Sequence, residues 1–547
     1  MFDVLIKNST IMDGSGNPWF KGDVAISKGK IVQIGRKIRA EAHRVIDAEG
    51  LVVSPGWVDV HSHSDWSLMA YPHADSLLIQ GATLTVTGNC GYSAAPLIGI
   101  ALERGKQQWA KRYASDFEVD WSTFDEYLSR LEGQGVSMNV ASLVGHSTIR
   151  YCVMGDAERK ATPAELSEME KLVDESMKAG GFGLSTGLVY WPGCWADTEE
   201  LVALAKVVAK HQGIYVSHTR GERETNIEAT KEVITIGEKA EIPVHISHMQ
   251  SKFPAYGNAE EGLRLLHQAR ERGIDIACDT EAFPWIYYEA SSPLPPWPFK
   301  FDPEKFVAML KGAESRARLK EEMRTIDPHG VLGRTGDGGI YQQRAWDRVW
   351  VYECKSDPSV EGKKISEIAS ECQVEPEDAL FDLIVAEGGK GPYVFVAHIE
   401  DEHHITAPDP LCIFPSTDCE AVELLKMPPR YMQYNQEWLS LFPRVLSRYV
   451  KEEGLMTPEE AIRKMTSFAC QRFGIRDRGM IREGMWADVT IFNYDTIEAR
   501  GTYEDPLERP RGIEYVLVNG QVAVEKGEYT GVLAGQVLRH QRPLRSS

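Results

Sequence analysis

Gly56-Trp57-Val58-Asp59-Val60-His61-Ser62-His63 continues an apolar, β-prone run from Leu51, Val52 and Val53 into two histidines spaced i, i+2. Residues two apart in a strand project to the same face. Two imidazoles at the end of a buried strand can therefore reach one small object, usually a divalent metal. Four further runs repeat the pattern. Thr83-Leu84-Thr85-Val86-Thr87-Gly88-Asn89-Cys90-Gly91 ends in a cysteine among small residues, and Gly213-Ile214-Tyr215-Val216-Ser217-His218 ends in a histidine. Ile242-Pro243-Val244-His245-Ile246-Ser247-His248 does the same, and Leu411-Cys412-Ile413-Phe414-Pro415-Ser416-Thr417-Asp418 ends in an aspartate. Any one of these is explained by a buried thiol or a satisfied core histidine. Together, each at the C-terminal end of a predicted strand, they are not, because that is the end at which barrel enzymes carry their chemistry. A carboxylate at Asp418 can ligate a metal and accept a proton from bound water.

The chain has 547 residues, more than one compact core usually holds, so two or more domains are expected. Its net charge of -20 argues against nucleic acid or an anionic membrane as partner. No cationic and apolar leader pattern starts at Met1, and no apolar run of about 18 residues marks a membrane span. The nine cysteines are scattered, with no C-x-x-C, which suits free thiols in a reducing cytoplasm. A cytoplasmic location is therefore expected, and the sequence leaves a homo-oligomer open.

Residues 1–55 read as short strands punctuated by Gly and Asn/Asp, which predicts an antiparallel sheet. The C-terminal segment 476–547 reads the same way, through Ala487–Asn493 and Ile513–Gly520. One small β-sandwich domain built from both ends, with the middle inserted, is the economical arrangement. Residues 56–475 alternate apolar strands with helical patterns. Thr162-Pro163-Ala164-Glu165 supplies an N-cap, Pro at N1 and Glu at N3. Helices over 197–211, 222–240 and 259–272 separate strands ending at His218, His248 and Asp279. This β/α rhythm predicts an α/β fold with a (β/α)8 TIM-like barrel. A doubly wound sheet is the alternative, weakened by the lack of a glycine-rich nucleotide fingerprint. Residues 290–350 break the rhythm with Pro-rich, charged and Gly-rich stretches, and are expected to form an inserted lid subdomain.

With these motifs the chain resembles the N-acyl-D-amino-acid deacylase (D-aminoacylase) family of the amidohydrolase superfamily. The resemblance rests on the stretch 56–63, on Thr87-Gly88-Asn89-Cys90-Gly91, Val144-Gly145-His146-Ser147 and Ser185-Thr186-Gly187-Leu188-Val189-Tyr190-Trp191-Pro192-Gly193, on the two Ser-His strand ends, and on Arg476–Gly484 with Ala487-Asp488. It implies one or two Zn2+ ions. His61 and His63 would hold one position, and His218 and His248 the second, tighter one. Cys90 would replace a bridging carboxylated lysine, and Asp418 would be both ligand and general base. The chain departs from the family pattern in its substrate-facing residues. Gln250, with Lys252 two positions on, stands where the family carries a lysine, Trp285 closes the altered stretch Glu281-Ala282-Phe283-Pro284-Trp285, and Arg430 remains from a His-Pro-Arg motif.

The expected activity is metal-assisted hydrolysis of a linear N-acyl amide. Asp418 would move the proton, and Tyr190 would donate to the developing oxyanion. Tyr190, Trp191, Trp195, Phe283, Trp285, Tyr287, Tyr288 and Trp297 suggest an aromatic pocket for a bulky or aromatic small-molecule substrate, with packing inside the insertion as the other reading. A cyclic-amide hydrolase of the hydantoinase or dihydroorotase kind is the competing class; Cys90 in place of the bridging lysine counts against it.

Overall fold

The computed structural model describes residues 1–109, 113, 117–222, 225–251, 257–282, 285–291, 294–295, 303–324, 344–389, 391–397, 402–426, 437–501 and 507–540. Parallel strands form its centre. They are β1 (Trp57–Asp59), β2 (Ala82–Thr87), β3 (Asn139–Ser142, resumed at Val144–Gly145), β4 (Gly183–Gly187), β5 (Ile214–His218), β6 (Val244–Ile246), β7 (Ile276–Glu281) and β8 (Cys412–Ser416). β1, β2 and the first part of β3 pair in order, and the second part of β3 continues through β4, β5, β6 and β7 to β8. These strands are buried throughout, as expected where both faces are covered. The ring closes between its first and last strands through a parallel bridge from Ser62 to Cys419. The expected (β/α)8 barrel is therefore present, and a doubly wound sheet, which would leave these two edges apart, is not.

The helices between the strands follow the local signals. Thr162 caps Pro163–Ala179 in a full capping box with Glu165. Asp197 caps Thr198–Lys210 by accepting from the Glu200 amide. The helix expected from 222 begins only at Asn226. Glu222 lies before that start and is 6% exposed, so a side chain suited to a first helical turn is instead turned inward.

Strands from both ends of the chain share one nine-stranded sheet. It is mixed, where an antiparallel sheet was expected. Phe2–Ile11 runs antiparallel to Phe20–Ser27 but parallel to Ala42–Asp47 and to Val52–Pro55. A break in register with Phe20–Ser27 lies between Ile6 and Ser9, at Asn8 with φ 60°; along the other edge, residues up to Lys7 pair with Ala42–Asp47 and Thr10 and Ile11 with Val52–Pro55. Val52–Pro55 then pairs with Val489–Phe492, joining the two chain ends just before the chain enters β1.

Between β7 and β8 the chain builds a separate three-stranded sheet from Trp285–Glu289, Val349–Glu353 and Tyr393–Ala397. It has its own core around Leu310, Trp346, Ile365, Phe381 and Val394. This unit is wider than 290–350 because its framing strands pair with each other rather than with the barrel. Phe283, Trp297 and the Gly-rich stretch lie outside the described residues, as do the side chains of Trp285, Tyr287 and Tyr288. Among the described residues, no helix is long and apolar enough to cross a membrane.

One buried ion group ties the wall of the barrel together. Arg150, fully buried in helix His146–Met154, places Nη1 2.6 Å from both carboxylate oxygens of Glu200. His146 Nε2 lies 2.8 Å from Glu200 Oε1. Burial pushes the Glu200 carboxyl up, but His146 and Arg150 outweigh it and hold it at about 2. Removing the carboxylate strands a buried guanidinium, so Glu200→Ala is expected to cost about 3–5 kcal/mol in urea unfolding. The folded-state value is depressed, so the wild-type contribution is complete above the ordinary value of 4.5 and is lost as pH falls toward about 2. The gap in urea midpoint between variant and wild type should be narrower at pH 3 than at pH 6; a constant gap would exclude the carboxylate as the titrating group.

Candidate active site

The expected ligands converge at the C-terminal ends of the strands. Two groups of side chains offer ligand atoms within 4.8 Å of one another: His61, His63, Cys90 and Asp418, and Cys90, His218 and His248. Cys90 belongs to both. Its Sγ lies 3.2 Å from His61 Nε2, 3.6 Å from His218 Nδ1 and 3.9 Å from His248 Nε2. Asp418 Oδ1 is 2.9 Å from His63 Nε2 and 3.2 Å from His61 Nε2. Tetrahedral zinc, with Zn–N near 2.0 Å and Zn–S near 2.3 Å, sets its ligand atoms about 3.5 Å apart. The separations around Cys90 fit that spacing, and imidazole, thiolate and carboxylate are donors zinc accepts together.

The electrostatics agree with the geometry. Burial pushes the Cys90 thiol up, but His61, His218 and His248 hold it well below its usual range, favouring thiolate. Burial likewise pushes Asp418 up, while His61 and His63 hold it well below the carboxylate range. Among the described ligands, exposure is confined to one pair. His61, Cys90, His218 and His248 are buried, whereas the side chains of His63 and Asp418 are 29% and 32% exposed.

The backbone at the site is unusual. Cys90, His248 and Asp418 have φ of 50°, 38° and 51°, a left-handed conformation costly for residues with a Cβ. Neighbouring contacts enforce it. A Cβ on Gly187 would lie 2.2 Å from the Cys90 carbonyl oxygen, so only glycine at the end of β4 admits the Cys90 turn. His248 N donates to Asp279 Oδ1. Asp418 N donates to His61 O, and His63 N to Cys419 O. Beneath these, the buried Asp59 carboxylate accepts from Thr417 Oγ1 at 2.8 Å and from the amides of Thr417 and His61.

Around the ligands, Tyr190 follows β4 with its ring centroid 4.7 Å from that of His218. Gln250 is 1% exposed, and neither atom of its amide has a hydrogen-bond partner among the described residues. Trp195 is 42% exposed, and Trp191 packs on Tyr151. Lys252 and Arg430 lie outside the described residues, and of Trp285 only the backbone strand is described. Two carboxylates were not anticipated. Asp279 lies between His245 Nε2 at 2.8 Å and His61 Nδ1 at 3.8 Å. It closes the apolar run from Ile274 as Asp418 closes the run from Leu411, so the same sequence signal marks it, although β7 itself continues to Glu281. Glu222 lies beside His218 and His248, and its sequence signal is an acid four residues after a strand-end histidine.

The sequence profile of the amidohydrolase family matches residues 44–288 and 430–524. D-aminoacylase from Alcaligenes xylosoxydans xylosoxydans is 32% identical over 545 residues, covering 98% of this chain and 97% of the relative. N-acyl-D-glutamate deacylase from the same organism is 30% identical over 519 residues, covering 95% and 93%. A crystal structure of N-acyl-D-glutamate deacylase from Bordetella bronchiseptica, complexed with zinc and a phosphonate mimic of the tetrahedral intermediate, superposes with a TM-score of 0.77 at 28% identity, covering 98% of this chain and 99% of that one.

Because Cys90 is common to both groups of ligands, Cys90→Ala is expected to empty both positions. Metal content by plasma mass spectrometry checks this. A full equivalent retained by the folded variant would show that the histidines and Asp418 suffice.

Proposed function

From its membership of the amidohydrolase family, to which this chain belongs, we propose that the chain is a zinc-dependent hydrolase of a linear amide, with an N-acyl-D-amino acid or a related bulky N-acyl compound as substrate. The observation that carries the reading is the shared thiolate: two groups of ligand atoms meet at Cys90 beneath an opening flanked by Asp418. The named relatives, a D-aminoacylase and two N-acyl-D-glutamate deacylases, one of them complexed with zinc, support it. When bound, zinc acts as a Lewis acid toward the scissile carbonyl and brings the pKa of water to near 7.

The chain's own residues do the rest. Asp418 is held ionised by His61 and His63 and is partly open to solvent, so it can accept the proton of the attacking water. It then returns that proton to the leaving nitrogen. Tyr190 would donate to the oxyanion, a role that its ring beside His218 supports. Gln250 supports a less anionic substrate. A buried amide without a partner costs about 1–3 kcal/mol, which a neutral polar group on the substrate would recover. Lysine at this position would instead have read a carboxylate.

Asp418→Asn is expected to lower kcat by about 10²–10⁴ while the Cys90, His218 and His248 group keeps its metal. Wild-type turnover in that variant would remove Asp418 from the proton path. In a panel of N-acyl-D-amino acids, uncharged aryl amides and ring amides, chelator-sensitive turnover is expected to favour neutral, bulky linear amides. Fastest hydrolysis of an acyl-D-glutamate or acyl-D-aspartate would overturn the role given to Gln250, and fastest opening of a ring amide would favour the cyclic class.

A further inference from the structure

Glu222 is a carboxylate shared between two histidines that face Cys90 with different nitrogens. His218 offers Nδ1 to the sulfur, at 3.6 Å, and His248 offers Nε2, at 3.9 Å. The opposite nitrogens turn to Glu222: His218 Nε2 is 3.5 Å from Oε2, and His248 Nδ1 is 3.0 Å from Oε1. Both contacts are at ion-pair distance, and neither nitrogen has a hydrogen-bond partner among the described residues, so Glu222 is the acceptor at hand for both. The rings stand nearly perpendicular, at 76° with centroids 4.3 Å apart, so one carboxylate spans both.

We propose that Glu222 is a positioning residue that fixes opposite tautomers of His218 and His248, leaving Nδ1 of one and Nε2 of the other free to hold the metal. The reasoning is one of proton inventory. An ionised carboxylate only accepts, so each nitrogen facing it carries the hydrogen. A neutral imidazole has one N–H, so its other nitrogen presents a lone pair. For His218 that lone pair is on Nδ1, and for His248 it is on Nε2. Both therefore face Cys90. Carboxylates that receive the outer N–H of a ligating histidine fix its tautomer and raise its basicity. Here a single carboxylate serves two ligands. A glutamine in its place has one accepting and one donating end, so it matches one histidine and opposes the other.

The inference rests on reading Cys90, His218 and His248 as a metal-holding group. The test has two parts on the full chain. First, the zinc dissociation constant is measured for wild type and Glu222→Gln by competition with a chelating dye, together with thermal melting of the metal-free proteins. Unchanged melting with zinc affinity lowered by about 10–100-fold is the expected result. Equal affinity in the two proteins would overturn the proposal while leaving the metal site intact, and a wild type that takes up no zinc would overturn both. Second, long-range ¹H–¹⁵N spectra of the zinc-loaded wild type read the tautomers without a variant. His218 is expected as the Nε2–H form and His248 as the Nδ1–H form; the same tautomer on both would overturn the proposal.

Discussion

The buried carboxylate of Asp59 holds the seam on which the rest of the site depends. It accepts from Thr417 Oγ1, from the Thr417 amide and from the His61 amide, and so ties the end of β1 to the end of β8 where no long ladder of strand pairs does so. Burial pushes this carboxyl up to about 7, against the hydrogen bonds from Thr417. The seam sets His61 and His63 on one side and Asp418 on the other, within hydrogen-bonding distance. A ring of parallel strands left open here would bring together Cys90, His218 and His248 but not the second group.

The same close fit explains the strain. Three of the six expected ligands sit in left-handed backbone, and each such residue costs of order 1–3 kcal/mol. Such a conformation persists only when its surroundings over-determine it. The contact of Gly187 with the Cys90 turn, the Asp279 carboxylate on the His248 amide, and the His61 carbonyl on the Asp418 amide do so at the three points. What the backbone gives up is returned as fixed geometry.

Much of this was legible from the chain. Strand-end histidines, a thiol among glycines and an aspartate after Ile413-Phe414-Pro415 carry a signal because period-2 alternation and the burial of parallel strands constrain few residue types to those ends. The Thr162–Glu165 box was legible because capping is local. Glu222 was not, since its acidic side chain suits a helix start and only the tertiary position of His248, 26 residues on by sequence number, turns it inward. The parallel pairing of Phe2–Ile11 was hidden for a similar reason: its partners Ala42–Asp47 and Val52–Pro55 lie about 40 residues on, and local alternation does not say which direction they run beside it. The unit between β7 and β8 is wider than its composition suggests, because the strands that frame it look like any other barrel strand until their partners are known.

The seam also has a history in time. Asp418 follows His63 by 355 residues, with the separate unit of the β7–β8 connection synthesised in between. At about 5–20 residues per second, a ribosome delivers the aspartate roughly 20–70 s after the histidine. Over the last 170 residues of that interval Cys90, His218 and His248 have all been synthesised, while His61 and His63 wait without their carboxylate. The group of Cys90, His218 and His248 is thus synthesised before the group that needs Asp418, which arrives last, just after the strand that shuts the ring.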